Sequence, residues 1–247
     1  MESTSTVEAP RFLFADKYVI DDPANAEFYH QLLRGMTHKL NNLLAVIQGF
    51  SSLIMMDEGL DESITENLGH MKEAAQNASG LSERVLPAGG CIRVAIQDLK
   101  LNEFLPMVEE SLRGPCKSLN VPLHVNIGQN LPTVKADPGR LKEVIMELLR
   151  NAAEAAAANG GEVGLDIVGS TGEGPRRVDV FVRNTGSTIH PEKIAEIFRP
   201  FNSTKDSSHF GVGLTIAAVL TNQMKMRLGV HSENNTTTFW LSIPTAA

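Results

Sequence analysis

The sequence predicts an α+β protein in two parts: an N-terminal antiparallel helical hairpin, then an α/β sandwich with one sheet and helices on one side. Three observations carry this expectation. Apolar residues step by four and three from Met36 through Leu40, Leu43, Ile47 and Phe50 to Ile54, and again from Ile64 through Leu68, Met71, Ala75 and Ala78 to Val85. That spacing is the seam of helices packed lengthwise. Pro87-Ala88-Gly89-Gly90 then breaks the pattern, as a boundary between domains does. Beyond it, alternating triplets such as Val163, Leu165, Ile167 and Val178, Val180, Val182 are bunched among a few helical stripes, the pattern of a sheet covered by helices.

Composition bounds the function. With 247 residues, 42% of them hydrophobic, the chain can bury a real core as one large domain or a small one plus a medium one. A net charge of -7 argues against a general nucleic-acid surface. No apolar run approaches the roughly 20 residues that cross a bilayer, and residues 1–10 lack the charged-then-apolar build of a signal peptide. A soluble, cytoplasmic protein without a membrane span is expected. Cys91 and Cys116 have no metal-site spacing and read as two reduced structural thiols.

In chain order, residues 1–22 read as a flexible N-terminal tail with no room for a sensory domain. Asp22-Pro23 is a cap followed by proline at the first helical position, and the helix it opens runs to about Asp57, about 50 Å at 1.5 Å per residue. A second helix ends at Pro87, giving a hairpin over residues 23–87. One hairpin cannot cover both seams, so it is expected to pair with a second copy in a four-helix bundle, a homodimer; docking on its own C-terminal half is the alternative. In residues 91–247 a strand is expected over Cys91 to Leu99, a helix over Leu101 to Leu112 and a strand over Val121 to Ile127. Asp137-Pro138 opens a helix with Leu141, Val144, Ile145, Leu148, Leu149 and Ala152 as its buried stripe. A β-hairpin turns at residues 169–175, Gly213 to Gln223 is the last helix, and Met226 to Val230 and Thr237 to Ile243 close the sheet.

The first helix carries His38-Lys39-Leu40-Asn41-Asn42-Leu43-Leu44. At about 100° per residue His38 points away from the apolar seam, and Asn42, one turn on, shares its outward face. Most surface histidines do nothing, but this string resembles the phospho-acceptor box of two-component histidine kinases, which commonly reads His, then Asp or Glu, with Asn or Thr one turn later. The resemblance implies that His38 accepts a phosphoryl group and passes it to the aspartate of a separate response regulator, with input from a separate sensor protein. Lys39 stands where the family has an acid that orients the imidazole and raises its nucleophilicity. A charged lysine cannot accept the imidazole proton and disfavours a second cation nearby. Asn42 matches the position that, in phosphatase-competent relatives, orients the water attacking an aspartyl phosphate.

Three later stretches resemble, in order, the nucleotide boxes of the GHKL (Bergerat) ATPase superfamily. The first runs from Ala136-Asp137-Pro138 to Glu147-Leu148-Leu149-Arg150-Asn151-Ala152. Glu147 and Asn151 share a helix face, and the resemblance implies that Asn151 holds the Mg2+ that bridges the phosphates. The second is Asn184-Thr185-Gly186-Ser187-Thr188, followed by Phe198, Phe201 and Lys205. Family members usually have Asp at 184, accepting a hydrogen bond from the adenine amino group, and Gly at 188. The amide Asn184 and the bulk of Thr188 are expected to weaken nucleotide binding, the first by about 1.5 to 3 kcal/mol for a lost charge-assisted bond. Lys205 matches a phosphate-binding lysine. The third is Gly211-Val212-Gly213, opening a helix whose amides meet phosphate. ATP and Mg2+ are the ligands the resemblance implies.

Two readings stay open at this point: a histidine kinase core with impaired use of ATP, and an ATP-independent histidine phosphotransferase or response-regulator phosphatase with a degenerate ATPase-like domain. A third, an ATPase using Glu147 as base for water, leaves His38 unexplained.

Overall fold

The computed structural model describes residues 6–8, 23–57, 59–170, 176–194, 196–202 and 210–246. They divide into two compact units, one built on the helices within Phe14–Ile92, the other on Arg93–Ser203, Gly211–Ala247 and a strand near the N-terminus.

The first unit is a hairpin of α1 (Pro23–Ile54) and α2 (Glu62–Ala88). The Asp61 carboxylate accepts from the Ser63 amide at 2.8 Å and caps the start of α2. Its end is a Schellman motif: Gly90 takes φ 70°, its amide donates to the Pro87 carbonyl, and the Cys91 amide donates to the Leu86 carbonyl. Cys91 thus completes a helix end, and the strand expected over Cys91 to Leu99 shrinks to β2 (Gln97–Leu99).

The apolar seam of α1 stays open. Met36, Leu43 and Phe50 are about 60%, 65% and 62% exposed. The buried stripe lies one residue further on, at Thr37, Leu44 and Ser51, with Asn41 and Gln48 half-buried between them. Gln48 donates to Ser79 Oγ across the hairpin at 3.3 Å, while small residues of α2, Ala75 and Ser82, are buried. The hairpin therefore closes on a partly polar stripe and leaves its most apolar one uncovered.

In the second unit β2 is followed by α3 (Leu101–Ser118), β3 (Leu123–Ile127), β4 (Val134–Ala136), α4 (Pro138–Ala157), β5 (Val163–Gly169), β6 (Arg177–Thr185), the one-turn α5 (Pro191–Ile194), α6 (Gly213–Gln223), β7 (Arg227–Glu233) and β8 (Thr236–Pro244). With β1 (Thr6–Glu8) they make a six-stranded sheet in the order β1-β7-β8-β6-β5-β3, antiparallel except for β3 with β5, and a separate β2-β4 pair. The register aligns Leu165, Val182, Phe239 and Val230 across one sheet face, all at most 1% exposed. The α4 stripe from Leu141 to Ala152 is equally buried, so the core lies between that face and the helices. Asp137 fixes the start of α4 by accepting from the Arg140 amide at 3.1 Å, and its other oxygen accepts from the Ala95 amide at 2.8 Å.

Helix α3 passes the expected end at Leu112 and continues through Gly114 and Pro115, because Cys116 on its last turn is buried. That burial pushes the Cys116 thiol pKa up, which keeps it protonated. Strands β1 and β4 have three residues each, too few to show an alternation; β1 lies in the segment read as a flexible tail. The expected turn over 169–175 falls partly outside the described residues. Among the described residues no helix is long and apolar enough to cross a membrane.

Candidate functional site

Three stripes divide the surface of α1. The exposed apolar one and the half-polar one toward α2 leave a third, on which His38 and Asn42 are exposed. Asn42 Nδ2 lies 3.4 Å from His38 Nδ1. An amide nitrogen only donates, so in this geometry Nδ1 is the acceptor. Lys39 is exposed beside it. Nε2 of His38 has no hydrogen-bond partner among the described residues and is open to another molecule.

The second unit gathers most of the residues singled out for nucleotide. On α4, Glu147 is 6% exposed and both its oxygens lie 2.8 to 2.9 Å from Arg150 Nη1. Asn151, one turn on from Glu147, is half-buried, and its amide has no hydrogen-bond partner among the described residues. Asn184 is 1% exposed near the end of β6, on the face that packs against the helices. Both side-chain hydrogen bonds it makes among the described residues come from Nδ2, to Ser187 Oγ at 3.3 Å and, longer, to the Thr185 carbonyl at 3.5 Å. Its Oδ1 is left as an acceptor, which is what the expected carboxylate would also present. Relative to that carboxylate the site loses charge but keeps direction.

Gly186, at φ 98°, follows directly, and a Cβ there would come within 2.9 Å of Asn159 Cβ. Thr188 turns aside: its Oγ1 accepts from the Asn235 amide at 2.9 Å, in the turn between β7 and β8. The bulk expected to meet nucleotide is thus engaged in holding a loop. Gly211 takes φ 64° where its backbone passes Phe201 and Asn202, and a Cβ would lie 3.0 Å from the Phe201 carbonyl carbon. Gly213 opens α6, whose first turn has no side-chain cap. Phe198 is fully buried and meets Phe239 edge-on at 6.5 Å, and Thr215 Oγ1 donates to its carbonyl at 2.9 Å. Phe201 is exposed. Lys205 lies outside the described residues.

Several contributors escaped sequence reasoning. Arg150 was readable as a cation three residues from Glu147. Ser187, Ser232, Thr237 and Asn235 have no spacing signal, because they meet only when the loop after β6 lies against the β7–β8 hairpin.

A helical hairpin with an outward histidine, followed by a helix-covered sheet carrying these loops, is an arrangement that known proteins share. Residues 136–247 match the family of histidine kinase-, DNA gyrase B-, and HSP90-like ATPases. The adaptive-response sensory kinase SasA of Synechococcus elongatus is 25% identical over 259 residues, an alignment covering 98% of this chain and 66% of SasA. Two solved structures share the fold. Full-length ShkA in complex with AMPPNP superposes with a TM-score of 0.70 at 24% identity, over 88% of this chain and 46% of ShkA. The histidine kinase ThkA, in complex with the response regulator TrrA, gives 0.59 at 21% identity, over 94% of this chain and 68% of that one.

Proposed function

We propose that this chain is a His-Asp phosphorelay protein that carries a phosphoryl group on His38 and exchanges it with the aspartate of a separate response regulator. The observation that carries the reading is the placement of His38 and Asn42 together on the exposed face of α1, on a chain whose second unit has the ATPase-like fold. The complex of ThkA with TrrA supports the partner, and the AMPPNP bound to ShkA supports an adenine nucleotide as ligand. Residues 23–87 would serve as the dimerisation and phosphotransfer hairpin, and 91–247 as the ATPase-like domain. The uncovered stripe of Met36, Leu43 and Phe50 favours a homodimer, since an apolar face of that length calls for a second copy.

The residues present fit a magnesium nucleotide. Asn184 Oδ1 would accept from the adenine amino group, and the Asn151 amide, without a partner among the described residues, would offer an oxygen to Mg2+. Backbone amides at Gly211 and Gly213 would meet phosphate, with Gly186 leaving room beside the base and Lys205 adding charge. ATP, when bound, supplies the γ-phosphoryl group. The chain's own part is positioning and charge neutralisation.

Use of ATP is impaired in this reading. Asn42 donates to Nδ1, which leaves the proton of the neutral ring on Nε2, and Lys39 offers no acceptor to move it. The same geometry favours a second reading, a phosphotransferase or response-regulator phosphatase, in which Asn42 orients the attacking water. Hydrolysis with Glu147 as base is disfavoured by the two short contacts to Arg150.

Calorimetric titration with Mg-ATP tests the nucleotide half. Binding that disappears in Asn151→Ala supports the kinase-derived reading; no heat at millimolar nucleotide leaves the ATP-independent one.

A further inference from the structure

The sheet of the ATPase-like unit ends in a strand that comes from before the hairpin. Thr6, Val7 and Glu8 pair antiparallel with His231, Val230 and Gly229 of β7. Three residues of strand are marginal alone, and side chains hold this one. Glu8 accepts from Arg227 Nε at 3.1 Å with one oxygen and from Nη2 at 2.8 Å with the other, and that pairing raises the Arg227 pKa above its ordinary value. The guanidinium also sits 5.9 Å from the centre of the Trp240 ring, over Gly229, where any Cβ would collide with the indole. Thr6 Oγ1 lies 2.8 Å from His231 Nδ1. Val7 stands opposite Val230, which is fully buried.

Strands β7 and β8 hold the loop that follows Asn184. Ser232 Oγ accepts from the Ile189 amide at 2.8 Å and donates to Thr237 Oγ1 at 2.8 Å; Thr237 in turn donates to the Ser187 carbonyl at 3.2 Å. The Gly186 amide donates to the Asn235 carbonyl at 3.0 Å, and the Asn235 amide to Thr188. Ser187 is also the residue that receives Asn184 Nδ2. The β7–β8 hairpin is therefore gripped by β1 on its outer edge and by the base-side loop at its tip.

We propose that Thr6–Glu8 is a detachable edge strand, latched by the Glu8–Arg227 ion pair, whose docking on β7 steadies the loop carrying Ser187 and Thr188. Detachment bares the backbone donors and acceptors of β7, an open strand-pairing edge, and loosens the support of Asn184. The segment that docks is the one that leads into α1, so the state of the N-terminal segment is linked to the nucleotide unit without any ligand.

Amide hydrogen exchange on the full chain, without nucleotide, tests this, because exchange reports local opening segment by segment. In Glu8→Arg the amides of residues 227–233 and of 186–189 are expected to exchange about three- to tenfold faster, the scale of an exposed ion pair turned into a repulsion. The charge swap Glu8→Arg with Arg227→Glu is expected to recover most of the lost protection in both segments, short of the part owed to the Arg227–Trp240 contact. Unchanged protection in Glu8→Arg, or no recovery in the double variant, would overturn the latch. Faster exchange confined to 227–233 would overturn its coupling to the base-side loop.

Discussion

Asn42 Nδ2 faces His38 Nδ1 at 3.4 Å, one helical turn away on the open side of α1. In this contact the amide nitrogen can only donate, so the proton of a neutral ring that accepts from it sits on Nε2. Attack on phosphorus from Nε2 needs that lone pair free. Asn42→Asp replaces the donor by an acceptor, which would hold the proton on Nδ1. We expect labelling of His38 from γ-labelled ATP to rise by at least about tenfold, since tautomer control of an imidazole nucleophile or base is worth that and more. In the phosphatase reading, activity toward a phosphorylated receiver domain should fall in the same variant.

Lys39 stands beside His38 in the proposed acceptor box. It is exposed, so replacing it should leave the fold unchanged. Lys39→Glu combined with Asn184→Asp is expected to raise ATP-dependent labelling above the wild-type level, measured by acid-labile phosphate on the protein. No gain would count against the proposal that these two residues impair ATP use.

The two departures in the second nucleotide stretch differ in kind. Asn184 already presents Oδ1, so Asn184→Asp should tighten Mg-ATP by about tenfold, the lower end of what a charge-assisted hydrogen bond contributes. Thr188 holds the turn at Asn235. Thr188→Val should leave affinity within about twofold and destabilise the protein by about 1 kcal/mol, the usual net worth of one hydrogen bond. Calorimetry and thermal melting of the two variants separate these outcomes.

The uncovered stripe of α1 predicts association. Leu43 and Phe50 are among its most exposed members. In a two-fold interface each substitution enters twice, and a carboxylate buried without a partner is strongly unfavourable. Leu43→Glu and Phe50→Glu should each weaken self-association by about a hundredfold or more in sedimentation equilibrium, with helix content retained because neither side chain packs within the hairpin.

How far the sequence could be read follows from the range of the interactions involved. Helices with strong periodicity and good caps were legible, as Asp137-Pro138 and the stripe from Leu141 to Ala152 show. The hairpin was legible too, but the stripe that closes it was not: Thr37, Asn41, Gln48 and Ser51 are polar, and an apolar seam draws the eye to the residues next to them. Cys91 looked like the start of a strand because backbone capping at Gly90 leaves no side-chain pattern. At the candidate site, His38, Asn42, Asn151 and Asn184 were singled out from their motif positions. What each amide donates to was not readable, since Ser187 and Thr237, 50 residues apart in the chain, meet only through the sheet.

The most direct test is incubation with γ-labelled Mg-ATP followed by analysis of the labelled residue. The phosphorelay account expects slow incorporation of acid-labile, alkali-stable phosphate on His38, lost in His38→Gln and in Asn151→Ala, and faster in Lys39→Glu with Asn184→Asp. Label that persists in His38→Gln, or a complete absence of label on His38 both from ATP and from a phosphorylated receiver domain, would contradict it.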